Sequence, residues 1–234
     1  MAVGCSHGQM LDPAARDAVM KFKERWRPHD IMHLGDACDT TAFMGGAAGK
    51  AQESEPVRPD IDAGLEFIVD LGVTIWTLGN HEDRIWIALK DPRGIVRACA
   101  ENTVATIEDL CEKQKIRLYH WTGHEEGFHN QGGYKWGHGV LWNESYIRDS
   151  AELYGNCVIA HGHRPGAELG RRSDHPHGIG VGALANTKKL DYAKAKKSTH
   201  AWGGGFVWGE TCGNQAVLWL HCQPQGVKEW RLPL

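Results

Sequence analysis

The chain has 234 residues, with 29 acidic against 26 basic side chains and a formal charge of −3 when its fourteen histidines are neutral. That length suits one α/β domain, and so small a net charge excludes a global electrostatic pull toward nucleic acid or an anionic membrane surface. No apolar run approaches the roughly 18 residues of a spanning helix, and residues 1–5 lack the basic and apolar regions of a signal peptide, so a cytoplasmic protein is expected.

Residues 2–5 read as a short strand. Asp12 and Pro13 supply an N-cap and a first helical residue, and Ala15, Val19, Phe22 and Trp26 form one apolar stripe of the helix they open. The apolar run 31–34 is a second strand. A loop of Gly, Ala, Thr and Pro covers 39–59, a second helix spans 61–71 and stops at Gly72, and 73–78 is a third strand. This β-α-β-α-β order places three parallel strands in one sheet, with their carboxyl ends along a common edge. Cys5-Ser6-His7, Gly35-Asp36 and Gly79-Asn80-His81-Glu82 stand at that edge, where open α/β sheets hold their ligands.

Helices are expected at 82–90 and 103–113. Beyond them the texture changes to short, Gly-punctuated apolar runs that read as antiparallel strands: 116–118, 134–136, 140–142, 157–160, 179–181, 206–208 and 216–220. One helix, over about 144–154, interrupts them. The low-complexity stretches 45–49 and 188–197 read as loops.

The histidines, several of them beside Asp, Asn or Gly, point to metal. A di-metal site neutralises a phosphate ester and activates water with carboxylate, amide and imidazole ligands. Asp36 offers a carboxylate able to bridge two ions, Asn80 a neutral carbonyl oxygen, and His7, His138, His161 and His163 imidazoles. In Cys5-Ser6-His7 and His161-Gly162-His163 the outer residues of an extended triplet project to the same side. Gly79, Gly139 and Gly162 leave space for the backbone beside candidate ligands.

His138 is preferred to His129 and His124, because it precedes Gly139 and an apolar run whereas His129 lies in the turn-rich segment 128–133. His33, His120, His175, His177, His200 and His221 match no motif and read as surface or satisfied core residues. The seven cysteines are odd in number and form no CxxC pair, which suits reduced thiols. The ten tryptophans, spread along the chain, read as core and partly buried aromatics.

Cys5-Ser6-His7, Gly35-Asp36-Ala37-Cys38-Asp39, Gly79-Asn80-His81-Glu82, His138-Gly139 and Ala160-His161-Gly162-His163 resemble, in order, the DxH, GDxxD, GNHE, lone-His and GHxH motifs of the calcineurin-like metallophosphoesterase superfamily. The likeness runs from residue 3 to about residue 164. Asp83-Arg84, Arg164-Pro165 and the segment 202–206 look like its phage and phage-like bacterial branch. The resemblance implies one metallophosphoesterase domain over 1–234, an α/β/β/α sandwich with two central mixed sheets flanked by helices.

It also implies two divalent or mixed-valence metal ions, of manganese, zinc or iron. One would be held by Cys5, His7, Asp36 and His163, the other by Asp36, Asn80, His138 and His161. A hydroxide bridging them would attack phosphorus, with His81 assisting at the leaving oxygen and Asp39 holding His81 in place. Arg164 is a candidate contact for substrate phosphate, or an exposed or ion-paired arginine.

The expected activity is that of a phosphodiesterase or phosphatase, with a diesterase acting on nucleotides or nucleic acid preferred. The Asp-Arg-Gly extension of the superfamily's protein phosphatases is absent, since Thr40-Thr41 follow Asp39. Lysines 188, 189, 194, 196 and 197 suit either a nucleic-acid backbone or a solvated face. Cys5 stands where the family has Asp. As a thiolate ligand it favours zinc or iron over magnesium; as a buried thiol it leaves the first metal weak or absent. The chain would then be a catalytically weak metal-binding or nucleic-acid-binding protein.

Overall fold

The Asp12 side chain accepts a hydrogen bond from the Ala14 N–H (2.9 Å), and Pro13 occupies the first turn, so α1 (Pro13–Trp26) starts at its capping signal. α2 (Val57–Leu71) ends at Gly72 in the left-handed conformation. Between and after them lie β1 (Ala2–Val3), β2 (Met32–His33), β3 (Ile75–Thr77), α3 (Asn80–Ala88), α4 (Gly94–Gln114) and β4 (Arg117–Tyr119). The computed structural model describes residues 1–47, 49–190, 201–224 and 229–233, so Lys194, Lys196, Lys197 and His200 lie outside the described residues.

The second half supplies β5 (His129–Gln131), β6 (Tyr134–Gly137), α5 (Tyr146–Tyr154), β7 (Cys157–Ile159), β8 (Pro165–Leu169), β9 (His177–Val181), β10 (Gly203–Cys212) and β11 (Gln215–Pro224). The strands form two mixed sheets, of order β11-β10-β1-β2-β3-β4 and β5-β6-β7-β9-β8. In the first, β1 to β4 run parallel and β10 joins β1 antiparallel. In the second, β6, β7 and β9 are parallel, with β5 and β8 antiparallel at the edges.

Two-residue alternation assigns the faces of the sheets. Ala2, Met32, Ile75 and Val207 meet Trp136, Val158, Ile179 and Val181 between the sheets. Their neighbours Val3, Trp76 and Phe206 face Val19 and Phe22 of α1, Ile68 and Leu71 of α2, and Ile107 of α4. Tyr146, Ile147 and Ala151 of α5 cover Cys157 and Ile159 on the far side of the second sheet. The result is the two-sheet sandwich with flanking helices that the resemblance implies.

Several strands depart from the sequence reading. Residues 117–119 form a fourth parallel strand, because α4 makes one more crossover before them. β6, β7 and β9 are likewise parallel rather than antiparallel; short apolar runs carry no signal of strand direction. Residues 140–142 are loop: Gly139 turns the chain at a φ of 83°, and its carbonyl accepts from the Trp121 indole N–H (2.9 Å). The edge strands β5 and β8 lack an apolar alternation, and β8 opens on a proline, which edges tolerate. His129, read as loop, is in β5, with the Tyr119 hydroxyl 2.9 Å from its Nδ1.

His33, on β2, is fully buried. The Ser6 hydroxyl donates to the Ala37 carbonyl and stands 3.0 Å from His33 Nε2, so that nitrogen carries the ring proton. Nδ1 has no partner among the described residues. A second proton would be buried without an acceptor, and burial accordingly lowers the His33 pKa from 6.5 to about 3. The unfolded chain binds a proton in that window and the folded protein does not. Stability conferred by neutral His33 is therefore complete above about pH 6.5 and is lost as pH falls toward 3, at roughly 1.4 kcal/mol per pH unit. His33→Gln keeps a donor for Ser6 without titrating, so urea unfolding should show wild type losing more stability than the variant across this window. Parallel pH profiles would refute the assignment.

Candidate metal centre

Five strand ends supply the polar cluster. Cys5 and His7 follow β1, Asp36 follows β2, Asn80 and His81 follow β3, His138 follows β6, and His161 and His163 follow β7. The two triplets, expected to be extended, are instead sharply turned. Cys5, His7, Asp36, His161 and His163 all have φ between 46° and 54°, five of the nine non-glycine residues at positive φ among the described residues. Such left-handed backbone costs energy in a residue with a Cβ, and it concentrates at functional sites. In this protein it turns side chains from successive strand ends into one volume.

Two glycines make the close approach possible. Gly35 has a φ of 84°, and a Cβ there would lie 2.7 Å from Gly79 Cα and from His138 Nδ1. A Cβ on Gly79 would meet Asp36 N at 2.6 Å. The loops bearing Asp36 and Asn80 therefore touch backbone to backbone.

One cluster consists of Cys5, His7, Asp36 and His163, all buried, with potential ligand atoms within 4.8 Å of one another. His7 Nδ1 lies 3.0 Å from Asp39 Oδ1 and donates to it, which leaves Nε2 as an acceptor 3.3 Å from His163 Nε2 and 3.8 Å from Asp36 Oδ2. The second cluster joins Asp36, His138 and His161 within the same limit. His138 Nδ1 donates to the Leu34 carbonyl (2.8 Å), so its Nε2 faces Asn80 Oδ1 at 3.0 Å, His161 Nδ1 at 3.0 Å and Asp36 Oδ2 at 3.2 Å. Asp36 is common to both.

His81 lies beside them. Its Nδ1 donates to the Asp39 carbonyl (2.6 Å) and is 3.3 Å from Asp39 Oδ1, while its Nε2 is 3.9 Å from Asp36 Oδ2. Asp39 thus holds His7 and His81 together. Arg84, one turn along α3, donates to the same Asp39 carbonyl (3.1 Å).

The electrostatics describe a place short of positive charge. Burial would raise the Asp36 carboxyl, but the imidazoles of His138 and His81 outweigh it and hold the group well below its usual range. Burial would lower His138, but the Asp36 charge and hydrogen bond outweigh it and the net direction is up. Burial, then the charge on His138, lowers His161 to about 3, and burial with the nearby His7 lowers His163 well below its usual value. Those rings keep their lone pairs. Burial raises the Cys5 thiol well above its usual value, the Asp36 charge adds to this, and the His161 N–H donating to the sulfur opposes it.

These residues fit metal ions. Acceptors outnumber the protons available to separate them, and His163 Nδ1 is buried without a partner among the described residues. Two nitrogens each about 2.1 Å from one ion stand roughly 3.0–3.4 Å apart for right-angle to tetrahedral geometry. The nitrogen pairs in this cluster are 3.0 and 3.3 Å apart.

A cavity of about 330 Å³ opens above the cluster, with Asp36, Asn80, His81, His161 and His163 as its floor and Met44, Arg84, Trp142, Arg164 and Trp202 around it. Arg164 borders this cavity, but its guanidinium donates to the carbonyls of Trp142 (3.2 Å), Asn143 and Glu144 (3.3 Å).

Two acidic residues matter beyond the sequence reading. Glu82, fully buried, accepts from the backbone N–H groups of Asp36 (2.9 Å), Cys38 (2.8 Å) and Gly79 (2.7 Å), and so ties the two loops together. Burial, then the charge on Asp36, raises its pKa to about 7. Asp60 of α2 accepts from the N–H groups of Asp39 (3.0 Å) and Thr40 (2.8 Å). The signal for Glu82 was its place as third residue of a helix opening on Gly79, a capping arrangement. Asp60 carried no such signal.

His33, His129 and His177 stand outside these clusters. All seven cysteines are free, and no helix among the described residues is long and apolar enough to cross a membrane.

No family model and no curated protein matches the sequence. Among solved structures, the chain matches a conserved uncharacterized protein from Streptococcus pneumoniae TIGR4 described as a predicted phosphoesterase. Identity is 12%, the match covers 94% of this chain and 95% of that one, and the TM-score is 0.29. A likeness at that score carries no inference about chemistry.

Proposed function

We propose that this chain is a metal-dependent phosphoesterase of the calcineurin-like kind, its residues 1–234 forming one domain. One observation carries the reading: two clusters of acceptors, all buried but the half-buried His161, share the Asp36 carboxylate under one cavity. In this reading Cys5, His7, Asp36 and His163 hold one metal ion, and Asp36, Asn80, His138 and His161 another. Ions of the manganese, zinc or iron type supply Lewis acidity and lower the pKa of water when bound.

The chain's own residues do the rest. Neutral His161 and His163 keep ring nitrogens available as ligands. The Nδ1 bond from His81 to Asp39 fixes that ring with Nε2 toward the cavity, the atom at which a proton is passed to a leaving oxygen. The Asp39 carboxylate, 3.3 Å from the ring, stabilises positive charge on it. Glu82 and Asp60 hold the backbone of both loops, so the ligands need little rearrangement. The substrate class favoured is a nucleotide or nucleic-acid phosphate ester.

The test is hydrolysis of nitrophenyl mono- and diesters by protein loaded with manganese, zinc or iron. His81→Ala should retain metal yet lose at least about 100-fold in kcat, the usual worth of a positioned proton donor. Absence of turnover with every metal would leave a metal-binding protein and refute the enzyme.

A further inference from the structure

The cavity above the cluster is polar at its floor and aromatic at its rim. Trp142, Trp202 and Met44 contribute apolar surface beside Asn80, His81 and His161, the place of the phosphate ester in the proposed function. The Trp202 ring and the backbone that carries Trp142 are both held in place. Trp142 is 72% exposed, on the segment between His138 and α5. That segment is braced from below, since the Arg164 guanidinium donates to the carbonyls of Trp142, Asn143 and Glu144 and sits 4.9 Å over the Tyr146 ring. Asn143 in turn donates to Asp149 of α5 (2.9 Å).

Trp202 is fixed from the other direction. Its ring lies edge-on to His163, with centroids 4.6 Å apart and planes at 70°. The next residue, Gly203, donates its N–H to the His163 carbonyl (2.9 Å). One indole therefore packs on a candidate ligand, the other projects from a braced turn, and both border the same space.

Surface of this kind discriminates among ester groups. An alkyl group gains only contact area from an indole, whereas a planar π-system also gains stacking. Arg84 adds a positive charge to the same wall, suited to the phosphate joined to such a group. The cavity of about 330 Å³ falls at the small end of ligand sites, large enough for one ring system and its phosphate but not for a folded partner.

We infer that Trp142 and Trp202 form a subsite for the planar aromatic group of the ester, that of a nucleoside or aryl phosphate, and thereby set substrate preference. This rests on the phosphoesterase reading and deepens it. Arg164 contributes to the subsite by bracing the Trp142 segment through its bonds to the carbonyls of Trp142, Asn143 and Glu144.

The experiment is calorimetric binding of adenosine 5′-monophosphate, phenyl phosphate and methyl phosphate to metal-loaded protein, wild type and variants. Trp142→Ala should weaken binding of the two aromatic ligands by about tenfold or more relative to methyl phosphate, and Trp142→Phe should restore most of it. Trp202→Ala should act in the same direction. Loss confined to the nucleotide would identify the base with its sugar as the occupant, and equal loss for phenyl phosphate would identify the ring alone; either supports the subsite. Equal weakening of all three ligands, or of none, would overturn it. Wild-type protein that carries metal but binds no phosphate ester would refute the underlying function instead.

Discussion

Asp36→Asn is expected to lower metal affinity by at least about 10³-fold, equivalent to roughly 4 kcal/mol, and to abolish turnover with it. The substitution keeps the size of the side chain and an oxygen to accept the His81 N–H, which bonds Asp36 Oδ1 at 3.0 Å. Only the negative charge is removed. That charge is buried among His7, His81 and His138, while the nearby carboxylates are engaged elsewhere, Asp39 with His7 and His81 and Glu82 with backbone N–H groups. Elemental analysis of dialysed protein measures the effect, with circular dichroism to confirm the fold. A variant that keeps the full metal content of wild type would show that the two clusters do not share a ligand.

Cys5 gives the second large effect. Its sulfur belongs to the cluster of His7, Asp36 and His163, and burial disfavours the thiolate unless a cation stands beside it. A soft sulfur in place of a hard carboxylate favours zinc, iron or cobalt over magnesium and manganese. Cobalt-loaded protein should therefore show a near-ultraviolet sulfur-to-cobalt charge-transfer band that vanishes in Cys5→Asp, while that variant gains at least about tenfold in preference for manganese over zinc. Cys5→Ala should lose one ion per chain. If it retains both ions and the band, sulfur ligation is wrong.

Much of this arrangement was legible from residue order. Asp12-Pro13 and Gly72 marked helix ends, and the alternation of strands and helices from residue 2 to 78 placed Cys5, His7, Asp36 and Asn80 along one edge. The second sheet was less legible. Its strands are three to five residues long, too short for their periodicity to declare direction, and Pro165 and His129 masked two edges. The left-handed turns at the candidate ligands were also hidden, because positive φ in Cys, Asp or His has no compositional mark of the sort glycine provides. Glu82 and Asp60 act through backbone N–H groups of distant loops, and such pairing exists only once the chain has folded.

The place of β1 sets an order on assembly. Two residues long, it lies between β2 and β10, and the Cys5 carbonyl beyond it accepts from the Ala185 N–H (3.0 Å). All the candidate ligands precede residue 164, yet the turns bearing Cys5 and His163 are clasped by residues 185 and 203. A growing chain thus exposes every ligand well before those clasps exist. Ion capture should follow closure of the six-stranded sheet rather than nucleate it, so that lesions in β10, far from any ligand in sequence, would surface as failures of metal loading.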